Sequence, residues 1–583
     1  MKKSLGLVAV VAALALTVSG CSTGASPQQA AGIQKGTSLV IGEPGLLTNV
    51  NAGVYSTPNS ETAAQDLAQL TLPAFYYHDA NGALIANTAF GTVKRDAATG
   101  NVTYTLSGKA KWNDGEAVSP ADLALSYLAA TNRDQPGFQS SLGQTSLSLA
   151  DKITVSNSGV VIHYSQPVPD WQTALVLTAP AHLVGAKALG GGTSASDATQ
   201  AVLDAATGAS KSNLTALENA FSTGFVTDVT NPTSTIKVNK LFSAGAYSIA
   251  SASASSAVLK ANPGYSAGPL GSAETITLSF FSTPDELNAA IAAKSVDLAK
   301  PVQSTLATLA QDKTQAAGAG YTTSVADSGF NEVILVNHGS GSSFDSKTWG
   351  AGSAKLAAVQ KMLFQFLPRA GMRATFASDG SLNPTDSLVF STGDNNYSAT
   401  IAGNGTTAYA FQNAEATAEE WQAAKFDRTI ALRVLFDSNS ARGQLEYTRL
   451  GNLGKLGGFD VQNVSTDTPA SVLASGQWDI YITQLPRVGG VNLGSATAVG
   501  SIGGFNDATV TSLVAKLASK GTLAAKDQAA LDKALVAGYY GLPVFQLDSL
   551  LVSSAKLKKS TLNAGNASVV WGYSNWLVSA KGK

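Results

Sequence analysis

The sequence predicts an α/β fold, because helices with clear start signals are repeatedly followed by short strands. Residues 283–286, TPDE, form a capping box with proline at the first helical position, and a strand is expected at 296–298. Residues 468–469, TP, open another helix before the strand 478–482. Helices that alternate with strands in this way are typical of α/β lobes.

An antiparallel region is predicted in the first third of the chain. Residues 101–106, NVTYTL, alternate apolar and polar side chains, as a half-buried strand does. Strand-like runs at 153–155 and 160–164 flank 157–159, NSG, which predicts a hairpin. Residues 119–122, SPAD, supply an N-cap, a proline and an early acid, so a helix is expected to begin there.

Two stretches are interpreted as surface loops. Residues 184–235 are rich in Ala, Ser, Thr and Gly, and predict a variable surface region with one helix near 213–221. Residues 391–415 are polar, with Asn, Gly and Thr repeated, and predict a second loop. The sequence shows no internal repeat and no long charge run.

The composition excludes a nucleic-acid-binding protein. The chain has 583 residues, a formal net charge of −1 and only 13% charged residues, so no basic patch is visible. With a single cysteine the chain cannot form an internal disulfide, but a chain of this length can bury a core that is stable without one. By length alone we expect about three domains' worth of chain.

The N-terminus predicts a lipoprotein signal peptide over residues 1–20. A short positive stretch precedes the apolar run 5–17, which has the length of a signal-peptide core and is too short to span a bilayer. Small residues lead directly to Cys21, so we expect cleavage before it, lipid on its thiol and attachment to the outer face of the cell membrane. Residues 21–35 would form a flexible tether, and several acyl chains are expected because one binds membranes only marginally. The alternative is a plain signal peptide with a chance cysteine.

Enzymatic motifs are present only in incomplete form, so no catalytic site is predicted. Residues 264–268, GYSAG, match a G-x-S-x-G elbow, but the required helix does not follow, and a turn is expected. Two S-x-x-K matches, at 234–237 and 553–556, lack their accompanying elements. The four histidines are scattered, and none has a second ligand at helical spacing, so neither a metal site nor a cofactor is expected.

Four segments, in order along the chain, resemble the family 5 extracellular solute-binding proteins, the peptide- and nickel-binding receptors of ABC importers. The fullest match is 102–127, where a strand, Trp112, an Asp-Gly turn and a proline-capped helix succeed one another. The other three are 242–299, 476–480 with 505–507, and 542–545 with 571–576. Their order and spacing carry the resemblance, since each segment alone is weak.

This resemblance implies two lobes that close over a buried ligand, in a periplasmic-binding-protein-like α/β fold of the class II, or cluster C, type. An extra small domain would be inserted near the N-terminus. The implied boundaries are 36–58, 165–270 and 500–583 for the first lobe, 59–164 for the extra domain, and 271–499 for the second lobe. Two crossing segments, near 268–275 and 495–503, would form the hinge.

The resemblance also places ligand contacts at the edges of the lobes. They lie in the turn-rich stretch before the first helix, which the sequence pattern predicts from about Glu61 to Leu72, in a loop of the extra domain, and in a polar loop of the second lobe. The residues are Tyr55, Ser56, Thr57, Phe138, Asn396 and Tyr397. An ordinary loop role is an equally good interpretation of each.

One departure from the family pattern concerns the ligand's charge. After the strand 478–482, peptide-binding members carry an aspartate that pairs with the ligand's α-ammonium, and a buried ammonium without a partner is costly. Here the candidate contacts are Thr483, Gln484 and Arg487, with no acid among them. The hypothesis is that this receptor binds a blocked, cyclic or anionic ligand, with Arg487 or Gln484 facing the cleft. The alternative is that Arg487 is a solvated loop residue.

The function implied by the resemblance is capture of a peptide or peptide-like solute and its delivery to a permease driven by an ATPase. Such a receptor is expected to be a monomer and not an enzyme. The alternative is a ligand sensor or chaperone-like surface protein of the same fold; neighbouring genes for permeases and ATPases would favour transport. An exported hydrolase would need a serine or carboxylate site that the sequence does not assemble.

Overall fold

The computed structural model describes most of the chain beyond residue 31. The described residues are 32–54, 56, 58–78, 84–96, 98–132, 138–144, 146–164, 168, 170–237, 241–301, 309–376, 382–453, 458–487, 503–520, 523–560 and 568–579. The predicted signal peptide 1–20, most of the tether, Cys21, Tyr55 and Thr57 lie outside these ranges.

Strands occur along the whole described chain. They are β1 (Gln34–Pro44), β2 (Tyr76–His78), β3 (Leu84–Ala86), β4 (Gly91–Arg95), β5 (Val102–Leu106), β6 (Ala150–Ser156), β7 (Gly159–Tyr164), β8 (Tyr247–Ala252), β9 (Ser256–Ala261), β10 (Ala273–Phe281), β11 (Leu298–Ala299), β12 (Thr322–Val336), β13 (Asn383–Pro384), β14 (Ile430–Leu435), β15 (Phe459–Asn463), β16 (Ile480–Pro486), β17 (Gly541–Ser553), β18 (Leu557–Lys558) and β19 (Leu577–Val578).

Helices are interspersed with these strands. They are α1 (Pro58–Thr71), α2 (Pro120–Thr131), α3 (Ala181–Leu189), α4 (Ala195–Thr207), α5 (Leu214–Thr223), α6 (Pro284–Ala292), α7 (Leu309–Gly318), α8 (Ser346–Trp349), α9 (Ala354–Phe366), α10 (Arg369–Phe376), α11 (Tyr397–Ile401), α12 (Ala414–Ala423), α13 (Ala441–Leu453), α14 (Pro469–Ser475), α15 (Ala508–Lys520) and α16 (Ala525–Ala537).

One large mixed sheet organises the molecule, and the α/β class predicted from the sequence is confirmed. Its strand order is β15-β14-β16-β12-β17-β11-β1-β10-β9-β8, with β13 paired to β17. At one end β1 runs parallel to β10 and β11, and at the other β14 runs parallel to β15 and β16. The antiparallel strands β12 and β17 join the two ends.

The buried apolar side chains form two large clusters and a small one. The first cluster contains Ile41 of β1 and Ile276 of β10. The second contains Ile334 of β12 and Ile480 of β16. The small cluster joins α6 to Val552 near the end of β17. Strands β12 and β17 therefore run from one packed half of the molecule to the other.

A smaller antiparallel sheet, in the order β4-β5-β7-β6, occupies 91–164. The predicted strand, hairpin and helix start in this region are confirmed as β5, β6–β7 and α2. The Asp122 carboxylate accepts hydrogen bonds from the backbone N–H groups of Ser119 and Ala181, both at 2.7 Å, and so caps α2 and fixes the start of α3. Tyr104 of β5 packs in the first cluster, so this sheet shares its core with β1.

The helix expected near 213–221 is confirmed as α5, but the prediction that the rest of 184–235 is a surface loop is wrong, because α3 and α4 occupy much of it. Small side chains let these helices pack closely. A Cβ atom at Gly185 would lie only 2.2 Å from the carbonyl oxygen of Ala198, so glycine permits the contact between α3 and α4. Val202 is fully buried on the inner face of α4.

The packing differs from the implied lobe boundaries at the C-terminal side. Phe505, Leu531 and Phe545 belong to the second cluster, whereas the resemblance places 500–583 in the first lobe; within that segment Leu551, Val570 and Trp576 do pack in the first cluster. The pairing of β17 with β12 places Phe545 in the second cluster, and a local sequence pattern does not predict that pairing. The implied hinge at 268–275 joins β9 to β10, which both pack in the first cluster, while the other implied hinge lies almost wholly outside the described residues.

Candidate functional site

A cavity of about 400 Å³ lies in the half of the molecule built around the first cluster. Small-molecule sites in proteins have volumes of roughly 300–1,000 Å³. The described residues that line it are Ala52, Glu61, Gln65, Ala68, Gln69, Leu72, Pro73, Ala74, Tyr76, Tyr77, Asn87, Ser141, Leu142, Val176, Leu177, Thr178, Tyr265, Pro269, Trp571, Tyr573 and Ser574. These residues come from seven separate parts of the chain, so the cavity exists only in the folded protein.

One face of α1 forms a wall of the cavity. Side chains three and four residues apart lie on the same helix face, and the lining residues of α1 and its end have this spacing. They are Glu61, Gln65, Ala68, Gln69 and Leu72. Leu67 and Leu70 lie on the other side of the helix and are fully buried in the first cluster. The amphipathic pattern of α1 therefore separates a core face from a face with three hydrogen-bonding side chains.

The C-terminal segment is held against α1 by hydrogen bonds. The backbone N–H of Val569 donates to Oδ2 of Asp66 at 3.1 Å. The hydroxyl of Ser568 donates to Oε1 of Gln69 at 2.7 Å. These contacts place Trp571 and the residues after it at the cavity, although they lie about five hundred positions from α1 in the sequence.

Asn87 joins two further walls. Its Nδ2 donates at 2.9 Å to the carbonyl oxygen of Ala74 and at 2.9 Å to that of Ala267. The first bond fixes the segment that carries Tyr76 and Tyr77, and the second fixes the turn that follows Tyr265. This single amide therefore ties together two segments that carry aromatic lining residues.

Aromatic rings dominate the lining. Five aromatic side chains contribute, namely Tyr76, Tyr77, Tyr265, Trp571 and Tyr573. The hydroxyl of Tyr573 donates to the carbonyl oxygen of Pro269 at 3.2 Å. Burial raises the pKa of Tyr265 and of Tyr573 above the usual value, so both hydroxyls stay neutral. Rings with neutral hydroxyls offer stacking surfaces and hydrogen bonds without adding charge.

Glu61 is the one ionisable carboxylate or cation among the described lining residues. Its Oε1 accepts a hydrogen bond from Nε2 of Gln65 at 3.1 Å. Partial burial raises the pKa of Glu61. Its place in the first turn of α1 opposes that shift, because the positive end of the helix dipole favours the charged form. The described lining thus has a formal charge of −1.

A buried acid pair lies between α1 and β1. The carboxyl groups of Glu43 and Asp66 are close neighbours, and both are almost completely buried. Burial and the neighbouring Asp66 raise the pKa of Glu43 well above its usual value, while the nearby Lys300 opposes the shift. Asp66 accepts the N–H of Val569, which stabilises charge on Asp66 rather than on Glu43. A proton held on Glu43 therefore removes the charge repulsion between β1 and the helix that lines the cavity.

The predicted ligand contacts Ser56 and Phe138, in the half of the molecule around the first cluster, lie beside the cavity. An antiparallel bridge between Val54 and Ser140 brings the two predicted segments together, and Ala52, Ser141 and Leu142 of the same segments line it. Ser56 itself shares a hydrogen bond of 2.9 Å with the hydroxyl of Thr48. Phe138 is 2% exposed and packs edge-on against Phe221, with 5.5 Å between ring centroids. Neither side chain is part of the lining.

The predicted contacts of the second half do not line this cavity. Asn396 is exposed at the start of α11, where its Nδ2 donates to Oδ1 of Asp394 at 3.1 Å. The hydroxyl of Tyr397 accepts the N–H of Asp386 at 2.9 Å. Thr483 and Gln484 lie within β16, opposite Val333 and Glu332 of β12. The described structure therefore does not bring the two predicted sets together at the cavity.

Arg487 is a structural residue of the sheet. It is 6% exposed, so the interpretation as a solvated loop residue is wrong. Its guanidinium pairs with the Asp327 carboxylate, and its Nη1 donates to Oδ1 of Asn331 at 3.1 Å. Its backbone N–H donates to the carbonyl oxygen of Gly329 at 2.9 Å. The charge that the sequence offered for an anionic ligand is thus neutralised by Asp327.

Sequence reasoning missed the residues that carry the cavity's chemistry. A helix was expected from about Glu61, but the face that lines a cavity depends on the docking of 571–574. Tyr265 lies in the 264–268 turn, which is confirmed as a turn between β9 and β10. Trp571 and Tyr573 lie in a segment that resembles the family. This resemblance, together with the aromatic residues of the segment, was the signal from which the lining could have been predicted.

Neither a metal-binding cluster nor a membrane-spanning helix is found in the described ranges. No group of three or more His, Cys, Asp or Glu side chains there is placed to hold a metal ion. No helix in the same ranges is both long and apolar enough to cross a membrane.

The sequence matches a known family over residues 93–349, described as bacterial extracellular solute-binding proteins, family 5 middle. Comparison with curated proteins finds no match. The fold is similar to that of several solved solute-binding proteins. The periplasmic EDTA-binding protein EppA is 15% identical, with a TM-score of 0.69 over 95% of this chain and 98% of that one.

Two other solved structures show the same fold. NikA from Brucella suis in complex with Fe(III)-EDTA is 15% identical, with a TM-score of 0.61 over 93% of this chain and 100% of that one. Lactococcal OppA complexed with an endogenous peptide is 15% identical, with a TM-score of 0.60 over the same shares. The resemblance predicted from the sequence is therefore confirmed: residues 93–349 match the family 5 bacterial extracellular solute-binding proteins, and the fold is similar to that of solved solute-binding proteins along nearly the whole chain.

Proposed function

We propose that this protein is the solute-binding receptor of an ABC importer and captures a peptide or peptide-like solute between two lobes. The observation that carries the proposal is the cavity of about 400 Å³ in a solute-binding fold. Its described lining lies in the half around the first cluster, and we propose that the other half closes over it. Its aromatic rings offer contact area, and its amides and hydroxyls offer hydrogen bonds that orient a ligand. The family consists of substrate-binding transport proteins, which are not enzymes.

Closure of the two halves is proposed to bend β12 and β17. The ladder between these strands shifts register between Asp327 and Asn331, opposite Asp548 and Gln546. Gly329, at the centre of the shift, has a φ of 83°, which glycine adopts at little cost. Irregularities of this kind interrupt the ladder and bend the strand, so the shift supplies a place for a hinge.

The lipid anchor belongs to the same proposal. A receptor held at the outer face of the cell membrane stays near its permease, and lipid on Cys21 would hold it there through a tether at 21–35. We expect the Cys21→Ala variant to move from the membrane fraction to the medium and to lose incorporation of labelled palmitate. Equal membrane retention of the variant would contradict the anchor and leave the solute-binding role untouched.

The solute-binding role is tested by mass spectrometry of small molecules released from the protein after purification from its native membranes. We expect one solute to be released per protein molecule. A strain that lacks the protein should also lose uptake of that solute. Protein that releases no solute, or loss of the protein without loss of uptake, would contradict the role of transport receptor.

A further inference from the structure

We propose that the cavity binds a solute with a protonated amine and that Glu61 is the counterion of that amine. This inference rests on the proposed function, because it names the chemical class of the captured solute. The proposed counterion is in the first turn of α1, in the half of the molecule around the first cluster. The aspartate of peptide-binding members, by contrast, follows the strand that corresponds to 478–482.

The charge balance of the cavity favours a cation. The described lining residues include the Glu61 carboxylate and no lysine, arginine or histidine side chain. A carboxylate inside a partly apolar cavity has lost part of its hydration, and a ligand cation restores a favourable interaction. An anionic solute would meet this carboxylate without a compensating charge from the described walls. Arg487, the cation proposed from the sequence to face an anionic ligand, is already paired with Asp327.

The carboxylate has room for a ligand donor. Among the described residues, the amide of Gln65 is its hydrogen-bond donor, and it contacts Oε1. Oε2 can therefore accept from an ammonium group. The Gln65 contact also spans one helical turn, so it holds the flexible Glu61 side chain along α1 and towards the cavity. A carboxylate that is already held in position loses less conformational entropy when a ligand binds to it.

The aromatic walls suit the same kind of ligand. An ammonium group is attracted to the faces of tyrosine and tryptophan rings, and the attraction grows as water is excluded. Tyr76, Tyr77, Tyr265, Trp571 and Tyr573 all line the cavity. One carboxylate among several neutral rings is a composition that selects organic cations over anions of the same size.

The test uses two peptides that differ only in the amine, trialanine and N-acetyl-trialanine. Their binding to the full processed protein in detergent is measured by calorimetry near neutral pH. We expect trialanine to bind about tenfold more tightly than the acetylated peptide, because a charge-assisted hydrogen bond is lost on acetylation. In Glu61→Gln we expect this preference to fall to about twofold or less.

Glu415→Gln is the matched control. Glu415 is an exposed acid in the first turn of α12 and is not part of the cavity lining, so this variant should keep the tenfold preference. Equal affinities in the wild type, or a preference that survives in Glu61→Gln, would overturn the inference while peptide binding itself still supports a receptor. If the wild type binds neither peptide, the inference is also overturned, and the solute released from native protein then decides the receptor role separately.

Discussion

Arg487 occupies the point where β12 loses register with β17. Its guanidinium bonds to Asp327 on one side of the shift and to Asn331 on the other, and Gly329 lies between them. All of these contacts are buried or nearly so. When one partner of a buried ion pair is removed, the other charge remains without compensation in a poorly hydrated site. Arg487 is therefore expected to matter for stability.

We predict that Arg487→Met lowers the free energy of unfolding by about 3 kcal/mol, because it removes the cation that pairs with the Asp327 carboxylate. Urea denaturation followed by tryptophan fluorescence measures the change. Arg428→Met serves as the control, since Arg428 is exposed, and its effect should stay within about 0.5 kcal/mol. If both variants unfold at the wild-type urea concentration, the assignment of Arg487 as a structural residue is contradicted.

At the scale of elements, the contact between α1 and β1 depends on a buried proton. The pKa of Glu43 is raised well above its usual value of 4.5, first by burial and then by Asp66. A group whose pKa is higher in the folded state than in the unfolded state stabilises the fold fully below its unfolded pKa. That contribution is lost as the pH rises through the folded pKa. The window for this loss therefore begins above pH 4.5 and extends upward.

We predict that Glu43→Gln becomes progressively more stable relative to the wild type as the pH rises from about 5 to about 8, because the amide has no proton to lose. Thermal unfolding across this range measures the difference in melting temperature between the two proteins. Glu415→Gln, an exposed change of the same chemistry, should follow the wild-type profile. A difference that does not vary with pH would contradict the role of the Glu43 proton.

Elements with local signals were predictable, and elements built by distant contacts were not. The caps of α2 and α6 depend on residues three positions apart, and Thr283 accepts the N–H of Glu286 at 3.2 Å as expected. Helices α3 and α4 were missed because their buried residues are mostly small, so hydrophobic periodicity is weak, whereas α5 was predicted near 213–221. The place of Phe505 in the second cluster depends on how β17 pairs, which no local pattern records.

The candidate site shows the same limit. The helix carrying Glu61 was predicted, and the segment with Trp571 and Tyr573 was recognised as a family match. Their meeting depends on Ser568 and Val569 bonding to α1, a contact between opposite ends of the chain. Ser56 and Phe138 were predicted as ligand contacts. Both lie in segments beside the cavity, but other residues of those segments line it.

At the scale of the whole molecule, the fold is shared while the side chains have diverged. Solved solute-binding proteins that are 15% identical superpose along more than nine-tenths of the chain. Their solutes include EDTA complexes and a peptide, so the architecture accommodates very different ligands. The chemistry of this cavity therefore depends on its own side chains, among which Glu61 and five aromatic rings are the distinguishing groups.

The most direct test of the central claim, that this cavity captures a solute, is the amount of solute released per protein molecule. Ala68 lines the cavity from α1, so Ala68→Trp would fill the space with an indole ring, whereas Ala423 is exposed on α12 and Ala423→Trp is the control. Mass spectrometry should find one solute per molecule in the wild type and in Ala423→Trp, and almost none in Ala68→Trp. Release of as much solute from Ala68→Trp as from the wild type would show that the solute binds elsewhere.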